Sequence, residues 1–346
     1  MTWHLYVDKP KRLPTKAVDS WLASAPPWRA PQKPWKDRSD KVDRPPASEE
    51  EEGVLAGRAR SFRLPPAVIA STPPVSSAEL IKAALDRINA ALHLRRPILI
   101  SGDPGVGKSS LAWHLAWVLG LGPPLKWEIG SRTTLQDGLY HYDAIGHLQA
   151  TRAATAGERV SIGPFVTLGP LGTALLPTER PRLLLIDELD KSGYDLPNDL
   201  LHVFEDGRFV LPELKREKEG ADVYPHDARD QTDTVRVERG EVVRHHPPVV
   251  VITTNGERVF PEAFLRRCVV LEFGRPDNTR LAEIVDSWFG AGGPDASHAA
   301  AVAELLELPE MSRQATDVVL QALYLQVQAE APRAVAVSAV KREKSG

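Results

Sequence analysis

Residues 102–109 have the spacing of a phosphate-binding loop. The sequence Gly-Asp-Pro-Gly-Val-Gly-Lys-Ser at Gly102–Ser109 matches the pattern GxxxxGK[ST]. Glycines let the backbone wrap around phosphate oxygens with its N–H groups, and the following helix adds the positive end of its dipole. Lys108 would reach the β- and γ-phosphates, and the Ser109 hydroxyl would be a ligand of Mg²⁺. The residues assigned to nucleotide contact are Gly102, Asp103, Pro104, Gly105, Val106, Gly107, Lys108, Ser109 and Ser110.

A second group able to do chemistry is the acidic pair Asp187-Glu188. It follows the apolar run Leu183–Ile186, which is typical of a strand buried on both faces. Ligands of open α/β sheets bind at the carboxyl ends of the strands, so we expect the pair to lie near the phosphate loop. Asp187 would hold Mg²⁺ through water, and Glu188 would orient or deprotonate an attacking water. A solvated strand end is the alternative interpretation, and the phosphate loop upstream argues against it.

These groups need a sheet to position them, and the hydrophobic pattern predicts one. The runs that predict buried strands are Ile98–Ile100, Leu125–Ile129, Leu183–Ile186, Val249–Thr254 and Val269–Phe273. A helix is predicted before the first run, from a capping box at Ser76 to Leu92. Helices between the runs are predicted over Leu111–Leu119 and Asp195–Glu205. Strands that alternate with helices indicate a parallel sheet with covered faces.

Composition and pattern divide the chain into four segments. Residues 1–60 form an arm rich in Trp and Pro that lacks helical or strand periodicity; residues 61–275 form the α/β domain; residues 276–330 form a helical lid; and residues 331–346 form a basic tail. The helices predicted for the lid are Thr279–Phe289, Ala296–Leu306 and Arg313–Ala329.

The arm holds four of the eight Trp residues and ends in the acidic run Glu49–Glu52. Either it packs its Trp side chains onto the body or a neighbouring subunit, or it is a flexible tail, and the density of Trp favours the docked arm. We expect it to contribute to assembly or partner docking rather than to ATP chemistry.

Composition also limits the function classes. The single cysteine, Cys268, excludes a disulfide framework and a cysteine-based zinc site, and it fits a reducing cytosol, so we expect a cytoplasmic location. No run of 18 apolar residues predicts a transmembrane helix, and the first ten residues lack the apolar segment of a signal peptide. The formal net charge of −3 argues against bulk binding to DNA or anionic lipid.

Several histidines and the cysteine could in principle do chemistry, but their sequence context does not indicate a functional role. His141 and His147 flank Asp143, but their spacing matches no metal motif, so a hydrogen-bonded structural role is expected. The pair His245-His246 precedes two prolines and is expected to be solvated. Cys268 lies beside an apolar run and is expected to be a small core residue.

With these motifs in this order, the chain resembles the AAA+ ATPases, and within them the MoxR-like group, over about residues 61–330. The run Val249–Asn255 looks like the family's sensor 1 strand, in which Asn255 would touch the γ-phosphate or the attacking water. Ser312-Arg313 resembles sensor 2, in which Arg313 would clamp the γ-phosphate.

The segment Phe260–Cys268 is similar to the family's Pro-Glu-Ala-x-x-x-Arg segment, whose arginine reaches the nucleotide of the neighbouring subunit. Arg267 matches that arginine best, and Arg266 is the alternate. A surface salt-bridge pair is the other interpretation of these two residues, and their position before the last strand favours the finger.

The resemblance implies a three-layer P-loop NTPase with a C-terminal helical lid. It also implies Mg²⁺-dependent ATP hydrolysis coupled to the remodelling of a protein partner, in a homo-oligomeric ring of six. The expected partner is a von Willebrand A-domain protein, with roles such as metallocofactor insertion, complex assembly or bacterial conflict. Nucleic acid and membrane are not expected partners, and the Trp-rich arm departs from the plain group and indicates a specialised complex.

Two insertions interrupt the α/β pattern. In MoxR-like proteins a hairpin that faces the ring centre occupies the place of Gly130–Arg182, and a surface hairpin without a substrate role is the alternative. The second insertion, Arg208–Pro248, is highly charged from Lys215 to Asp233, where a mobile loop is expected. Residues Arg236–Arg244 alternate apolar and polar side chains, which predicts a strand, and they resemble the family's hairpin before sensor 1.

Two other functions are weighed against this one. A DNA-directed motor of the related restriction type would need a basic pore, but the basic residues of the first insertion are only Arg132, Arg152, Arg159, Arg180 and Arg182. A nucleotide-dependent switch that turns over slowly would not need Glu188, Asn255 and Arg267 together.

Overall fold

The computed structural model describes residues 3–7, 11–31, 33–44, 47–68, 76–155, 159–217, 219–276, 281, 283–285 and 316–327. The α-helices of this part of the chain are α1 (Thr15–Ala23), α2 (Glu49–Ser61), α3 (Ser77–Leu94), α4 (Ser110–Leu119), α5 (Leu135–Leu139), α6 (Ala144–Ala153), α7 (Pro170–Ala174), α8 (Leu196–Asp206), α9 (Glu262–Leu265) and α10 (Thr316–Val327). The strands are β1 (Ile98–Gly102), β2 (Leu125–Glu128), β3 (Tyr140–Tyr142), β4 (Val166–Leu168), β5 (Leu183–Asp187), β6 (Arg208–Val210), β7 (Ala221–Val223), β8 (Val235–Val237), β9 (Glu241–Val243), β10 (Val249–Thr253) and β11 (Val269–Phe273).

The centre of the fold is a five-stranded sheet in the order β11-β1-β10-β5-β2. All of its neighbouring strands are parallel, with Ile98 of β1 opposite Val251 of β10 and Val249 of β10 opposite Leu183 of β5. The five apolar runs of the sequence are these five strands, so the predicted parallel sheet is confirmed. The order places β10 between β1 and β5, which brings the ends of these three strands side by side.

Apolar side chains lie on both faces of the sheet, which explains why the strands are continuous apolar runs. On β5, Leu183 and Leu185 pack in the core beneath α3 and α4, while Leu184 and Ile186 pack in the core beneath α7 and α8. Helices therefore cover both faces, and the predicted three-layer α/β class is confirmed.

The helices that flank the phosphate loop have clear local causes. The Ser76 hydroxyl accepts a hydrogen bond from the Glu79 amide at 3.3 Å, and the Glu79 carboxylate accepts one from the Ser76 amide at 2.9 Å, which completes the predicted capping box of α3. Helix α4 ends at Gly120, whose left-handed backbone (φ 64°) is favourable for glycine.

The insertions form small antiparallel pairs. In the first, β3 pairs with β4 and α6 lies between them in sequence. In the second, the prediction of one strand over Arg236–Arg244 is wrong. Arg239 and Gly240 have φ values of 53° and 65°, so the chain turns there, and β8 pairs with β7 while β9 pairs with β6. Strand β7 also lies inside the segment where a mobile loop was expected.

The N-terminal arm contains helices that its sequence does not predict. Helix α2 begins in the acidic run, where Ser48 and Glu51 form a capping box, and it extends to Ser61, across the position taken as the end of the arm. Trp21 of α1 is buried, and its indole N–H donates to the Leu92 carbonyl at 3.1 Å. The described part of the arm is thus packed on the α/β domain, although Trp28 is 75% exposed.

Little of the predicted lid falls within the described residues. Helix α10 lies inside the predicted third helix, and Leu281 and residues 283–285 are helical inside the predicted first. The predicted second helix, the predicted sensor 2 residue Arg313 and the basic tail lie outside the described residues.

Candidate nucleotide-binding site

The phosphate loop joins β1 to α4, and its glycines have a steric reason. Gly102 has φ 148°, and a Cβ atom there would lie 2.6 Å from the Phe273 carbonyl oxygen on β11. Gly107 has φ 91°, a conformation that L side chains rarely adopt. The loop conformation therefore depends on glycine at both positions.

Lys108 lies under the loop and is buried. Its Nζ donates to the carbonyl oxygens of Gly102 at 2.7 Å and Asp103 at 3.0 Å, and to the side-chain oxygen of Asn255 at 2.8 Å. Burial lowers the pKa of Lys108, and the nearby carboxylates, Asp190 first, oppose that shift. These three hydrogen bonds fix the Lys108 amine between the phosphate loop and Asn255, which follows β10.

Asp187 and Ser109 meet at the end of β5. The Ser109 hydroxyl donates to Asp187 Oδ1 at 2.7 Å, and so does the Thr253 hydroxyl, also at 2.7 Å. Lys126 Nζ lies 3.5 Å from Asp187 Oδ2. A hydroxyl and a carboxylate are the hard oxygen donors that Mg²⁺ prefers, so these two residues fit the predicted metal role.

Glu188 stands next to them in an uncommon backbone conformation. Its φ of 61° and ψ of 49° are left-handed, which for a residue other than glycine costs about 1–3 kcal/mol. One carboxylate oxygen accepts from Asn255 Nδ2 at 3.2 Å, and the other pairs with Lys191 Nζ at 2.5 Å. The Glu188 amide donates to the Thr253 hydroxyl at 2.9 Å, which ties the strained residue to β10.

Two residues that the sequence did not indicate, Asp190 and Thr253, hold the backbone and side chains of the site in place through hydrogen bonds. Asp190 is buried, and its Oδ2 accepts from the amides of Asn255 at 2.9 Å and Glu257 at 3.1 Å. Thr253 bridges β5 and β10 through the contacts given above. The only sequence signal for Asp190 was a carboxylate three residues beyond Asp187. The only signal for Thr253 was a hydroxyl at the end of an otherwise apolar run.

The structure therefore brings Lys108, Ser109, Asp187, Glu188 and Asn255 into one hydrogen-bonded group. Asn255 is its centre, since its side-chain oxygen accepts from Lys108 and its side-chain nitrogen donates to Glu188. The strand order explains this arrangement, because β10 lies between the strands that carry the loop and the acidic pair.

The predicted finger residues lie outside this group. Arg267 forms an ion pair with Glu205 of α8, and its guanidinium donates to the Ala263 carbonyl at 3.1 Å. The Arg266 side chain is exposed, and its carbonyl accepts from Arg96. Among the described residues, neither arginine contacts the phosphate loop of its own chain.

A different arginine does reach the loop. The Arg275 guanidinium lies 2.6 Å from Asp103 Oδ2. No motif of the sequence indicated this contact, since Arg275 was taken only as the end of the α/β domain.

A cavity of about 420 Å³ adjoins the loop. Its walls include Gly105, Gly107 and Asp187 from the α/β domain, and Ile284 and Leu320 from the predicted lid. This size is within the range of small-molecule sites.

Helix α2 of the arm supplies another wall of this cavity. Arg58 lies 4.0 Å over the Trp113 ring of α4, and the Phe62 ring lies 3.7 Å from the position of a Cβ on Gly107. The arm, as the sequence divided the chain, thus contributes Arg58 to the cavity beside the phosphate loop.

Residues of secondary interest have structural contacts. The Asp143 carboxylate accepts from the Gly146 amide at the start of α6, and Tyr142 and His147 share a hydrogen bond of 2.8 Å. Burial raises the pKa of the Cys268 thiol to about 12, as expected for a core residue. The expectation that the pair His245-His246 is solvated is wrong, because His245 is buried against Trp35 at a ring distance of 5.0 Å.

Comparison with known families shows what this part of the chain resembles. Residues 97–268 match the model of the AAA domain, dynein-related subfamily. This part of the chain is therefore similar to AAA domains. The match begins just before β1 and ends just before β11, so it includes the phosphate loop, the Asp187-Glu188 pair and Asn255 of the AAA domain.

Solved structures with some similarity are variants of RuvB from Thermotoga maritima. A proline-to-glycine variant is 14% identical, with a TM-score of 0.38 over 77% of this chain and 69% of the other. A threonine-to-valine variant is 16% identical, with a TM-score of 0.34, and this chain spans only 60% of its length. No curated protein matches the sequence. No helix of the described residues is long and apolar enough to cross a membrane.

Proposed function

We propose that the protein is an ATP-dependent remodelling ATPase of the MoxR-like type that works as a homo-oligomeric ring on a protein partner. The observation that carries the proposal is the hydrogen-bonded line from Lys108 through Asn255 to Glu188. It joins a cation suited to phosphate with a carboxylate suited to water activation. A switch module that only binds nucleotide does not require the second of these.

The residues of the site divide the work of hydrolysis. Lys108 and the loop amides bind the β- and γ-phosphates of ATP. Ser109 and Asp187 would hold Mg²⁺, which when bound neutralises charge on the phosphates. Glu188 orients the attacking water and accepts its proton, and Asn255 fixes the Glu188 carboxylate relative to the γ-phosphate.

The finger is proposed to act on a neighbouring copy. Arg267 pairs with Glu205 and, among the described residues, makes no contact with its own phosphate loop, which supports a role at the site of another chain. Its task there is to neutralise the charge that develops on the γ-phosphate, and Arg266 remains the alternate because its side chain is exposed. Arg313 is kept as the sensor 2 candidate.

A protein partner is favoured over DNA by the first insertion. Three of its five basic residues have carboxylate partners: Arg159 with Glu217, Arg180 with Asp19 and Arg182 with Asp227. Helix α6 in the same insertion exposes Ile145 (71%) and Leu148 (51%). Neutralised arginines and exposed apolar side chains suit a protein surface better than a phosphate backbone. A von Willebrand A-domain protein, in a role such as bacterial conflict, is the proposed partner.

The test is to mix two variants that fail for different reasons. Glu188→Gln and Arg267→Ala should each bind ATP and lose hydrolysis by about a thousandfold. In mixed rings, an Arg267→Ala subunit keeps its own Glu188 and borrows Arg267 from a Glu188→Gln neighbour, so partial activity should return. Mixed rings, verified by native mass spectrometry, that stay as inactive as their parents would contradict the role of Arg267, and Arg266→Ala would be tested in the same way.

A further inference from the structure

The phosphate loop carries a negative charge of its own at its second position. The carbonyl oxygen of Asp103 accepts from Lys108 Nζ at 3.0 Å. The carboxylate belongs to the same residue, so it lies within about 8 Å of that amine, which is about one Debye length at physiological ionic strength. An anion at this place competes with the phosphates of a nucleotide for the amine and for the amides of the loop.

Arg275 holds this carboxylate in the structure. Its Nε atom donates to Asp103 Oδ2 at 2.7 Å, and a terminal nitrogen of the same guanidinium lies 2.6 Å from that oxygen. The two side chains are 49% and 55% exposed, and exposed ion pairs add little to the stability of a fold because water screens them. The consequence of the pair is therefore expected in the loop, where it determines the direction of the Asp103 side chain.

The backbone that leads to Arg275 is fixed from two sides. Gly102 of β1 is opposite Phe273, the last residue of β11. Beyond the other edge of β11, the Gly274 amide donates to the Pro66 carbonyl at 2.8 Å. Arg275 is the next residue, so its side chain starts from a fixed point beside the end of β1, where the phosphate loop begins.

We propose that Arg275 is a positioning residue of the nucleotide site, which holds the Asp103 carboxylate away from the loop amides and the Lys108 amine. Without Arg275, the carboxylate is free to turn into the loop and to occupy the place of a phosphate. Arg275 acts through Asp103 and not by contact with the nucleotide. This inference rests on the proposed nucleotide site, and it adds a residue that no motif of the sequence marks.

The experiment is a double-mutant cycle on the full chain, with ATP affinity measured by titration calorimetry in EDTA, which prevents hydrolysis. Arg275→Ala should lower ATP affinity by about fivefold, while Arg275→Lys, which keeps the cation, should bind near the wild-type affinity. Asp103→Asn replaces the carboxylate by a neutral amide and should bind ATP at least as tightly as the wild type. The double variant Arg275→Ala/Asp103→Asn should bind within about twofold of Asp103→Asn, because no carboxylate remains to be positioned.

Steady-state kinetics with Mg²⁺ separate this role from a catalytic one. Arg275→Ala should raise the KM for ATP by about fivefold and change kcat by less than about twofold, because the competing carboxylate affects binding and not the reacting groups. A kcat that falls as much as KM rises would contradict the positioning role.

The matched control is Arg87→Ala. Arg87 is also exposed and also reaches β11, where its guanidinium donates to the Val270 carbonyl at 3.1 Å, but among the described residues it makes no contact with the phosphate loop. It should bind ATP like the wild type, and circular dichroism should show the same fold for every variant.

Three results would overturn the inference. A double variant as weak as Arg275→Ala would show that Arg275 acts directly on the nucleotide, an Arg275→Ala variant without effect would remove the role, and an equally weak Arg87→Ala variant would assign the loss to β11 in general. Failure of the proposed nucleotide site has a different signature, since Lys108→Ala would then bind ATP as tightly as the wild type.

Discussion

The nucleotide cavity and the N-terminal arm are held by different kinds of interaction, although α2 belongs to both. Around the phosphate loop, five parallel strands fix the backbone, and the polar residues sit at adjacent strand ends. The described part of the arm has no strand in this sheet. Its buried side chains, such as Trp21 and Leu55, pack in the core beside α3 and α4. Polar anchors add to this packing, such as Asn89 of α3, whose side-chain oxygen accepts from the amides of Leu5 and Tyr6 at 2.8 Å each. Loss of one group at the site should therefore stop chemistry without unfolding, while loss of one anchor should loosen the arm.

The largest effect is expected at Lys108. Replacing Lys108 by Ala removes the cation beneath the loop and should lower ATP affinity by about a hundredfold or more, with the fold retained. Titration calorimetry measures the affinity, and circular dichroism checks the fold. Lys41→Ala, which removes the same charge from the arm, should bind ATP normally; equal affinities of the two variants would contradict the role of Lys108.

The second effect tests an arm anchor. Asn89→Leu keeps the approximate volume but leaves the Leu5 and Tyr6 amides without their acceptor in a buried place, so the free energy of unfolding should fall by about 2–4 kcal/mol. Hydrogen exchange should accelerate at residues 3–7 while ATP affinity is unchanged. Asn198→Leu on the exposed face of α8 is the control. Unaltered exchange at Leu5 and Tyr6 would show that the anchor is not needed.

A fall in pH should destabilise the packing of the arm more than the polar site at the strand ends. Burial lowers the pKa of His114 to about 4 and that of His246 to about 3. His114 shares a hydrogen bond of 2.8 Å with the Tyr6 hydroxyl, and His246 lies against His245 under Trp35. Both folded-state values are depressed, so the unfolded chain binds protons first as the pH falls below about 6.5.

Stability is therefore complete above pH 6.5 and decreases toward pH 4, by about 1–2 kcal/mol for each histidine at pH 5. Denaturant unfolding at pH 7.5 and pH 5 measures the difference. His114→Gln and His246→Gln should each reduce the pH dependence, and variants that keep the wild-type dependence would assign the acid effect to other groups.

The smallest effect compares two equivalent caps. Ser48→Ala and Ser76→Ala each remove a capping box and should each lower the free energy of unfolding by about 1 kcal/mol. Only Ser48→Ala should also weaken ATP binding, by about twofold, because it loosens the helix that carries Arg58. Equal ATP affinities of the two variants in thermal-shift titrations would show that α2 does not contribute to ATP binding.

Much of the sheet could be predicted because its signal is local. A strand buried on both faces must be an apolar run, and Leu183–Ile186 and Val249–Thr253 are such runs. The arm gave weaker signals. Helix α2 contains four glutamates and two glycines, so its helical form depends on the Ser48 cap and on the burial of Leu55 and Ala59 in a helix that packs beside α4. Neither this cap nor the packing was predicted from the sequence.

The motifs of the candidate site could be predicted from the sequence, but the residues that hold these motifs in place could not. The phosphate loop and the acidic pair follow from residue types, whereas the roles of Asp190 and Thr253 depend on β10 lying beside β5. Pairings between strands that are distant in sequence leave no periodic trace. The contact between Arg275 and Asp103 was hidden for the same reason, since 172 positions separate the two residues.

The position of α2 determines what a minimal version of this protein must contain. The segment that matches the AAA domain begins at residue 97, and the composition of the chain suggests a cut near residue 60. A fragment cut there would start inside the last turn of α2 and lack Arg58, the residue that covers Trp113. It would keep the phosphate loop and the Asp187-Glu188 pair but lose Arg58 from the cavity wall, while Phe62 and Arg63 remain. We therefore expect the functional unit to begin at Ser48 or before it, about fifty residues ahead of the first strand.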